Sequence, residues 1–393
     1  MDVRNKRMSF SSARNESPVD VTTFNADSDE WIKAWEEVPA RDLIESPKIF
    51  SMDSERSVED ACEALLSEDI LCLAVKDSAS DSYLGLFDFS DVNAFLTLAA
   101  TRHTLFPQEV QGTSRSEQIV AAAKAGRVPV HLVSNLSEKN PLEVLPYDAT
   151  ILSLLAVFAR GRHRVLIRSP SPSEEYQGIV SDRQLLDWFY KYSEKTPSFA
   201  SVLSNSLQSL ALPSIHIYSE VVATKSSSTV LDAMKLMSDG GVSSVAVVDD
   251  ETGQLLSAVS ATDIGKIVVP SQSNQILSTP LHQFISQIKG PHGSTDGADR
   301  YPVYSVFPAS TLSYTIQKLL ATNAHRLFVT IDGSSSPSPS ASSGNLSGIV
   351  SVVDILSLFA RLAHIQNIDP TSMQRHRRAS SASSHSSTSR STS

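Results

Sequence analysis

The sequence predicts an α/β protein built from tandem repeats, and two observations carry that expectation. One pattern recurs four times along the 393 residues: a helix-like segment, an apolar strand, a polar turn, a second short strand, and a Ser- or Asp-containing turn that opens another helix. Within each copy the apolar spacing also changes, from helical offsets in the leading segment to a continuous run in the strand. An all-helical protein does not produce that alternation.

The second strand and its turn show the repeat best. The copies read GLFDFSD ending at Asp91, GIVSDRQ ending at Gln184, SAVSATD ending at Asp263 and GIVSVVD ending at Asp354. Those endpoints lie 93, 79 and 91 residues apart, which fits units of about 50 residues joined by variable linkers. The leading segments agree. Ile151, Leu154, Leu155 and Phe158 recur at helical offsets ahead of the strand Val165, Leu166, Ile167. Residues 58–66, 230–237 and 312–320 stand in the same relation to the strands at 71–75, 245–248 and 327–329.

Composition narrows the class. Hydrophobic residues make up 41% of the chain, enough for a sizeable core. The two cysteines, Cys62 and Cys72, are too few for a disulfide framework and lack metal-ligand spacing, so they read as buried thiols. A net charge of −10 argues against nucleic-acid binding, which needs basic patches to displace counterions. The longest apolar stretch, 151–159, is half of what a bilayer crossing needs, and MDVRNKRMSF has no signal-like core. A cytoplasmic and nuclear protein without membrane contact is the expectation. Trp31 and Trp35 lie one helical turn apart after an acidic lead-in and are expected to pack on the domain that follows. The Ser-rich ends and the insertion GSSSPSPSASSG have little to bury and read as disordered tails and a loop.

The repeated turn carries the chemistry. A Ser at the strand end, as at Ser260 and Ser351, caps the next helix through its hydroxyl. The helix start then offers free N–H groups and a positive dipole end to an anion. An Asp three residues later, at Asp91, Asp263 and Asp354, can accept hydrogen bonds from a ribose diol, a role carboxylates fill in other nucleotide folds. Ser-x-x-Asp is equally a capping pattern, and repeats share caps too. A second feature tips the balance. His163-Arg164 and His325-Arg326 occupy the same place in copies two and four, just before the first strand. Arg presents a planar fork suited to phosphate and His a donor that becomes cationic near neutral pH. Two equivalent pairs in an acidic chain point to a focused anion site. No Ser/His/Asp constellation, Cys nucleophile beside a base or phosphate-binding glycine loop is present. Gly240-Gly241 lacks the Gly-Lys-Ser/Thr continuation, so an enzyme is not expected.

These units resemble cystathionine-β-synthase (CBS) repeats over about residues 42–363. The fourth, with His325 to Val329 and GIVSVVDIL, is similar to the corresponding repeat of the gamma subunit of AMP-activated protein kinase. The resemblance implies four CBS repeats forming two tandem Bateman modules in a disk around a central nucleotide cavity. It implies ribose contacts at Asp91, Asp263 and Asp354, with Gln184 as the exception in repeat two. It implies phosphate contacts from His163, Arg164, Arg183, His325 and Arg326, and AMP, ADP or ATP as regulatory ligand, with no metal. Two departures weaken repeat one: Ile70-Leu71 stands where the family has an Arg, and Asp88 replaces the usual Ser or Thr.

The expected partition is a tail over 1–26, repeat one with its Trp-containing lead helix over 27–100, a linker over 101–140, repeat two over 141–195, a linker over 196–216, repeat three over 217–270, a linker over 271–300, repeat four over 301–365 and a tail over 366–393. The Ser-rich layout is most similar to the fungal SDS-type CBS proteins. That resemblance implies inhibition of type 2A-like protein phosphatases in nutrient-stress signalling, cell separation and DNA replication. A kinase gamma-type subunit and a CBS scaffold with vestigial sites are the alternatives. Ser9 and Ser380 follow basic residues and are candidate phosphorylation sites.

Overall fold

The computed structural model describes residues 25–44, 49–80, 82–101, 115–171, 175–210, 212, 221–271, 274–288, 304–331 and 345–368. Ser9, Ser380, both expected tails apart from a few residues, and the insertion around 333–344 lie outside the described residues. Four sheets of three strands each are present among them. The first unit contains β1 (Ser51–Asp53), α2 (Val58–Ser67), β2 (Cys72–Lys76), β3 (Tyr83–Asp88) and α3 (Phe89–Thr101), preceded in the chain by α1 (Asn25–Glu37). After α4 (Arg115–Lys124), the second unit contains β4 (Val144–Leu145), α5 (Ile151–Phe158), β5 (Arg164–Arg168), β6 (Tyr176–Ser181) and α6 (Asp182–Lys195). After α7 (Pro197–Leu203), the third contains β7 (Ala223–Lys225), α8 (Val230–Gly240), β8 (Ser244–Val248), β9 (Leu255–Ser260) and α9 (Ala261–Ser271). After α10 (Leu281–Ile288), the fourth contains β10 (Ser305–Val306), α11 (Leu312–Ala321), β11 (Arg326–Ile331), β12 (Asn345–Ser351) and α12 (Val352–Leu362).

Every sheet has the same connectivity. The first strand pairs parallel with the second across a helix, and the second pairs antiparallel with the third. A parallel pair needs such a crossover, which is why each unit spends a helix between its first two strands. Hydroxyl residues Ser57, Thr229 and Thr311 cap those helices by accepting the N–H three residues on.

The units close into a ring through two kinds of contact. Sheets of units one and two meet at Ala74, Leu86 and Leu166, with Tyr83 stacked on Tyr176 at 5.0 Å between ring centroids. Sheets of units three and four meet at Ala246, Val248, Leu255, Ala258, Phe328 and Leu346. Helices make the other two contacts. α3 packs on α8 and α9, and α12 packs on α5 and α6. The first of these is close: a Cβ added at Gly265 would lie 2.3 Å from the Phe89 ring. At the second, Ser357 Oγ lies 3.0 Å from the Ala159 carbonyl and 2.6 Å from the Val353 carbonyl of its own helix.

The expected linkers hold more structure than their composition implied. The N-cap residues of three crossover helices form isolated bridges to them, Ser57 with Pro129, Thr229 with Pro280 and Thr311 with Ser206, and Thr150 bridges Pro39 in the lead segment that was expected to belong to repeat one. The segment holding α4 completes unit one and that holding α10 completes unit three. The segments holding α1 and α7 complete units two and four, which do not follow them directly. The tryptophan helix therefore docks on the second unit and on α7 rather than on the first unit. Trp31 and Trp35 are buried against Phe189 and Phe199, and Trp31 Nε1 donates to Ser198 Oγ at 3.0 Å. Both cysteines are free, and burial pushes each thiol up to about 12, so neither is a nucleophile. No helix among the described residues is long and apolar enough to cross a membrane.

Candidate functional site

Strand register fixes which residues are equivalent. The middle strand of each sheet opens opposite the last residue of the third: Cys72 faces Asp88, Arg164 faces Ser181, Ser244 faces Ser260 and Arg326 faces Ser351. The residue that opens the next helix donates its N–H to the residue before the middle strand. Asp182 bonds His163 at 3.0 Å, Ala261 bonds Ser243 at 2.9 Å and Val352 bonds His325 at 3.0 Å. His163, Ser243 and His325 are thus equivalent. In the first unit Cys72, not Ile70-Leu71, stands at the arginine position.

All three expected ribose carboxylates sit in reciprocal caps. Ser351 N–H and Oγ donate to Asp354 Oδ2 at 2.8 and 2.6 Å, and Asp354 N–H returns to Ser351 Oγ at 3.2 Å. Ser260 and Asp263 repeat this, with 2.9, 2.7 and 3.1 Å. These bonds use one oxygen of each carboxylate. Asp91 is placed differently. It is fully buried and accepts N–H bonds from Asp88 at 3.2 Å, Asn135 at 3.2 Å and Ser137 at 2.8 Å, on both oxygens. The segment after α4 therefore covers the carboxylate that a ribose would have to reach, which corrects the expectation for repeat one. Burial, then the neighbouring Asp88 carboxylate, push Asp91 up to about 7 against the pull of those N–H donors.

The histidines of the two His-Arg pairs converge, whereas their arginines reach into different units. The His163 and His325 rings meet edge to face at 5.3 Å between centroids. Between them stands Asp182, the first residue of α6 and fully buried. Its Oδ2 lies 2.7 Å from His163 Nδ1 and 3.8 Å from His325 Nδ1. Burial raises the Asp182 pKa, but His163, helped by His325 and Arg164, more than offsets this and holds the carboxyl below its ordinary value. Burial takes His325 down to about 3, against the pull of the Asp182 carboxylate. Arg164 reaches into the first unit and pairs with Asp88 at 3.3 Å, where Asn140 Nδ2 also donates to the same oxygen. Arg183 turns away and donates to the Leu320 carbonyl at 3.2 Å, near the end of α11. Arg326 reaches the third unit and donates to Ser243 Oγ at 3.3 Å, while its buried Nε has no hydrogen-bond partner. Burial lowers its pKa, opposed by Asp354.

The phosphate expectation thus divides by residue. His163 and Arg164 face carboxylates, Arg183 caps a helix end, and Arg326 alone of these three arginines meets only a hydroxyl in its side-chain bond. Asp182 and Asn140 were missed by sequence reasoning. The signal for Asp182 was available: once Arg164 is paired with Ser181, antiparallel register brings 163 opposite 182. Asn140 gave no such signal, because a loop residue 52 positions from Asp88 obeys no period. A separate cavity of about 210 Å³ lies between units one and three, against Ser90, Asn93, Lys139, Met237, Asp239 and Ala261. It is smaller than the roughly 300–1,000 Å³ typical of small-molecule pockets.

Comparison with known proteins agrees with this architecture. The CBS domain family model matches residues 216–269, the third unit. Protein SDS23 of Eremothecium gossypii is 30% identical over 339 residues, which cover 78% of this chain and 67% of that protein. The chain belongs to the SDS23 family. Protein sds23 of Aspergillus niger is 31% identical over 315 residues, covering 79% of this chain and 60% of the relative. The chain thus spans about three-fifths of the length of several curated relatives in this family. Among solved structures, MJ1225 of Methanocaldococcus jannaschii, described as a candidate archaeal homologue of g-AMPK, superposes with a TM-score of 0.58. It is 13% identical and covers 82% of this chain and 100% of its own, which establishes a shared fold for the SDS23-family chain.

Proposed function

We propose that this SDS23-family chain is a non-catalytic regulator that responds to an adenine nucleotide at the centre of the ring. The carrying observation is Arg326. Its guanidinium lies where units three and four meet, pairs through its side chain with one hydroxyl, and keeps a buried Nε without a hydrogen-bond partner. A buried, under-satisfied guanidinium is costly alone and suits a phosphate, which accepts two of its N–H groups at once. Asp354 and Asp263 are the carboxylates proposed to accept hydrogen bonds from the ribose diol. AMP, ADP and ATP all carry that chemistry.

The target is proposed from the resemblance to SDS-type proteins: a type 2A-like protein phosphatase, inhibited in nutrient and stress signalling, cell separation and DNA replication, in cytoplasm and nucleus. Nucleotide occupancy would bias the phosphatase-facing surface, and the coupling must be reciprocal. The test is phosphatase activity titrated with the 393-residue chain, with and without each nucleotide. Inhibition that shifts with nucleotide is expected. Absence of inhibition removes the target, and inhibition indifferent to all three nucleotides removes the ligand. Co-purification of kinase alpha and beta subunits instead would favour a gamma-type role.

One observation favours a second reading, a scaffold with vestigial sites. Asp88 and Asp182 place two carboxylates against Arg164 and His163, at positions where the phosphate reading needs open cations. Under that reading Arg326→Ala leaves cellular function intact.

A further inference from the structure

His163, Asp182 and His325 were read as phosphate contacts or not at all, yet together they present a donor set for a cation. We propose that these three side chains form a site for one divalent first-row transition-metal ion, with zinc the best match. Their ligand atoms, two imidazole nitrogens and one carboxylate oxygen, all lie within 4.8 Å of one another. Imidazole favours zinc, copper, iron and nickel over magnesium or calcium, and two imidazoles with one carboxylate is an established set for such ions.

The present geometry is close to what an ion needs. A tetrahedral ion with bonds of about 2.0–2.2 Å holds its ligand atoms roughly 3.3–3.6 Å apart. The two nitrogens lie 2.7 and 3.8 Å from Asp182 Oδ2. Entry of an ion opens the first contact and closes the second slightly. The proton now shared between His163 and Asp182 moves to Nε2 of His163 or leaves to solvent, freeing the Nδ1 lone pair. Both rings retain exposed surface, 21% and 32% of the side chain, while Asp182 and His325 Nδ1 are buried.

An independent observation points the same way. Asp182 is fully buried, and its Oδ1 has no hydrogen-bond partner. His325 Nδ1 has none either. Buried polar atoms in folded proteins almost always find partners; an ion on Asp182 Oδ2 would serve His325 Nδ1, and a carboxylate bound through both oxygens would serve Oδ1 as well. Arg164 and Arg183 act on His325 as neighbouring positive charges and oppose a cation. Asp88 neutralises the first, the Leu320 carbonyl engages the second, and Asp182 places its charge directly on the ion.

The ligands come from units two and four, one in each sheet-packed module. A bound ion would therefore tie the two modules together at their centre. The proposal uses no phosphate contact and stands apart from the nucleotide reading.

The test uses the 393-residue chain stripped with chelator, titrated with zinc by calorimetry and with cobalt(II) by visible absorption. One equivalent with the spectrum of a nitrogen- and oxygen-ligated site is expected. Asp182→Asn and His325→Gln should each weaken binding at least about tenfold while circular dichroism stays that of a folded chain. The double variant His376→Ala/His385→Ala, which clears the C-terminal histidines, should bind as the parent does. No binding at millimolar metal, or one equivalent that survives both cluster variants, overturns the proposal, as does binding lost only with the C-terminal histidines. A chain that binds zinc but no nucleotide leaves this proposal standing and removes the other; the reverse pattern does the opposite.

Discussion

Arg164 leaves the second unit and meets Asp88 of the first, with Nη1 3.3 Å from Oδ2 and the side chains only 12% and 8% exposed. Asp88 performs two tasks there. It caps α3 by accepting N–H bonds from Ser90 at 2.7 Å and Asp91 at 3.2 Å, and it neutralises an arginine that the repeat pattern assigns to a ligand. Serine fills the equivalent place in the other three units, where it caps without charge.

Two substitutions separate those tasks. Asp88→Ser keeps a capping oxygen and releases Arg164, so affinity for an adenine nucleotide should rise by about tenfold. Asp88→Ala removes the cap as well as the counter-charge and should cost about 1 kcal/mol more than Asp88→Ser in urea unfolding. A nucleotide affinity unchanged in Asp88→Ser would mean Arg164 has no access to the ligand.

Asp91 makes stability depend on pH. Its folded-state pKa, about 7, lies above the 3.8 of the free side chain, so the folded chain binds the extra proton between those values. This contribution is fully present below about pH 4 and is lost as pH rises through 7. Asp91→Asn imitates the protonated form. The stability of the parent relative to Asp91→Asn should therefore fall between pH 5 and about 8 and then level off. A difference that is flat across that range in denaturant titrations would contradict the buried-acid assignment.

The reciprocal cap at Ser351 and Asp354 predicts a local effect. Ser351→Ala deletes the hydroxyl that accepts the Asp354 N–H and should cost about 1 kcal/mol, whereas Ser351→Gly should cost only a few tenths. Equal costs would show that the hydroxyl contributes nothing to the helix start.

Gly265 tests the helix contact between units one and three. A methyl there would meet Phe89 at 2.3 Å, so Gly265→Ala should destabilise by about 1–3 kcal/mol through overpacking. Combining it with Phe89→Leu should recover part of that loss, because the colliding ring is removed. A double variant whose cost equals the sum of the two single costs would place Phe89 and Gly265 out of contact.

Much of the architecture was legible in the chain because it repeats. The turn ending at Asp91, Gln184, Asp263 and Asp354 follows a strand of fixed register in every unit, and both the strand and the helix after it were placed from period alone. Cys62 was read as buried and is, whereas Cys72 is half-buried; Trp31 and Trp35 are buried, but not on the domain that follows them. The linkers were not legible as structure. Their docking rests on bridges such as Thr311 to Ser206 across more than a hundred residues, and no local period encodes such a pairing. The site was half legible for the same reason. The His-Arg pairs stand out as equivalent positions, but their counter-charges, Asp88 and Asp182, come from strand register and from a neighbouring unit. Residue types suited to an anion were visible in sequence; the carboxylates already facing them were not.

Arg326 is the proposed contact for the phosphate of an adenine nucleotide. Calorimetry of AMP, ADP and ATP against the 393-residue chain, in parallel with Arg326→Ala, tests it most directly. The account predicts saturable binding of at least one nucleotide and a loss of about tenfold or more in the variant, with its fold unchanged. No detectable heat up to millimolar nucleotide, or binding equally strong in Arg326→Ala, would contradict it.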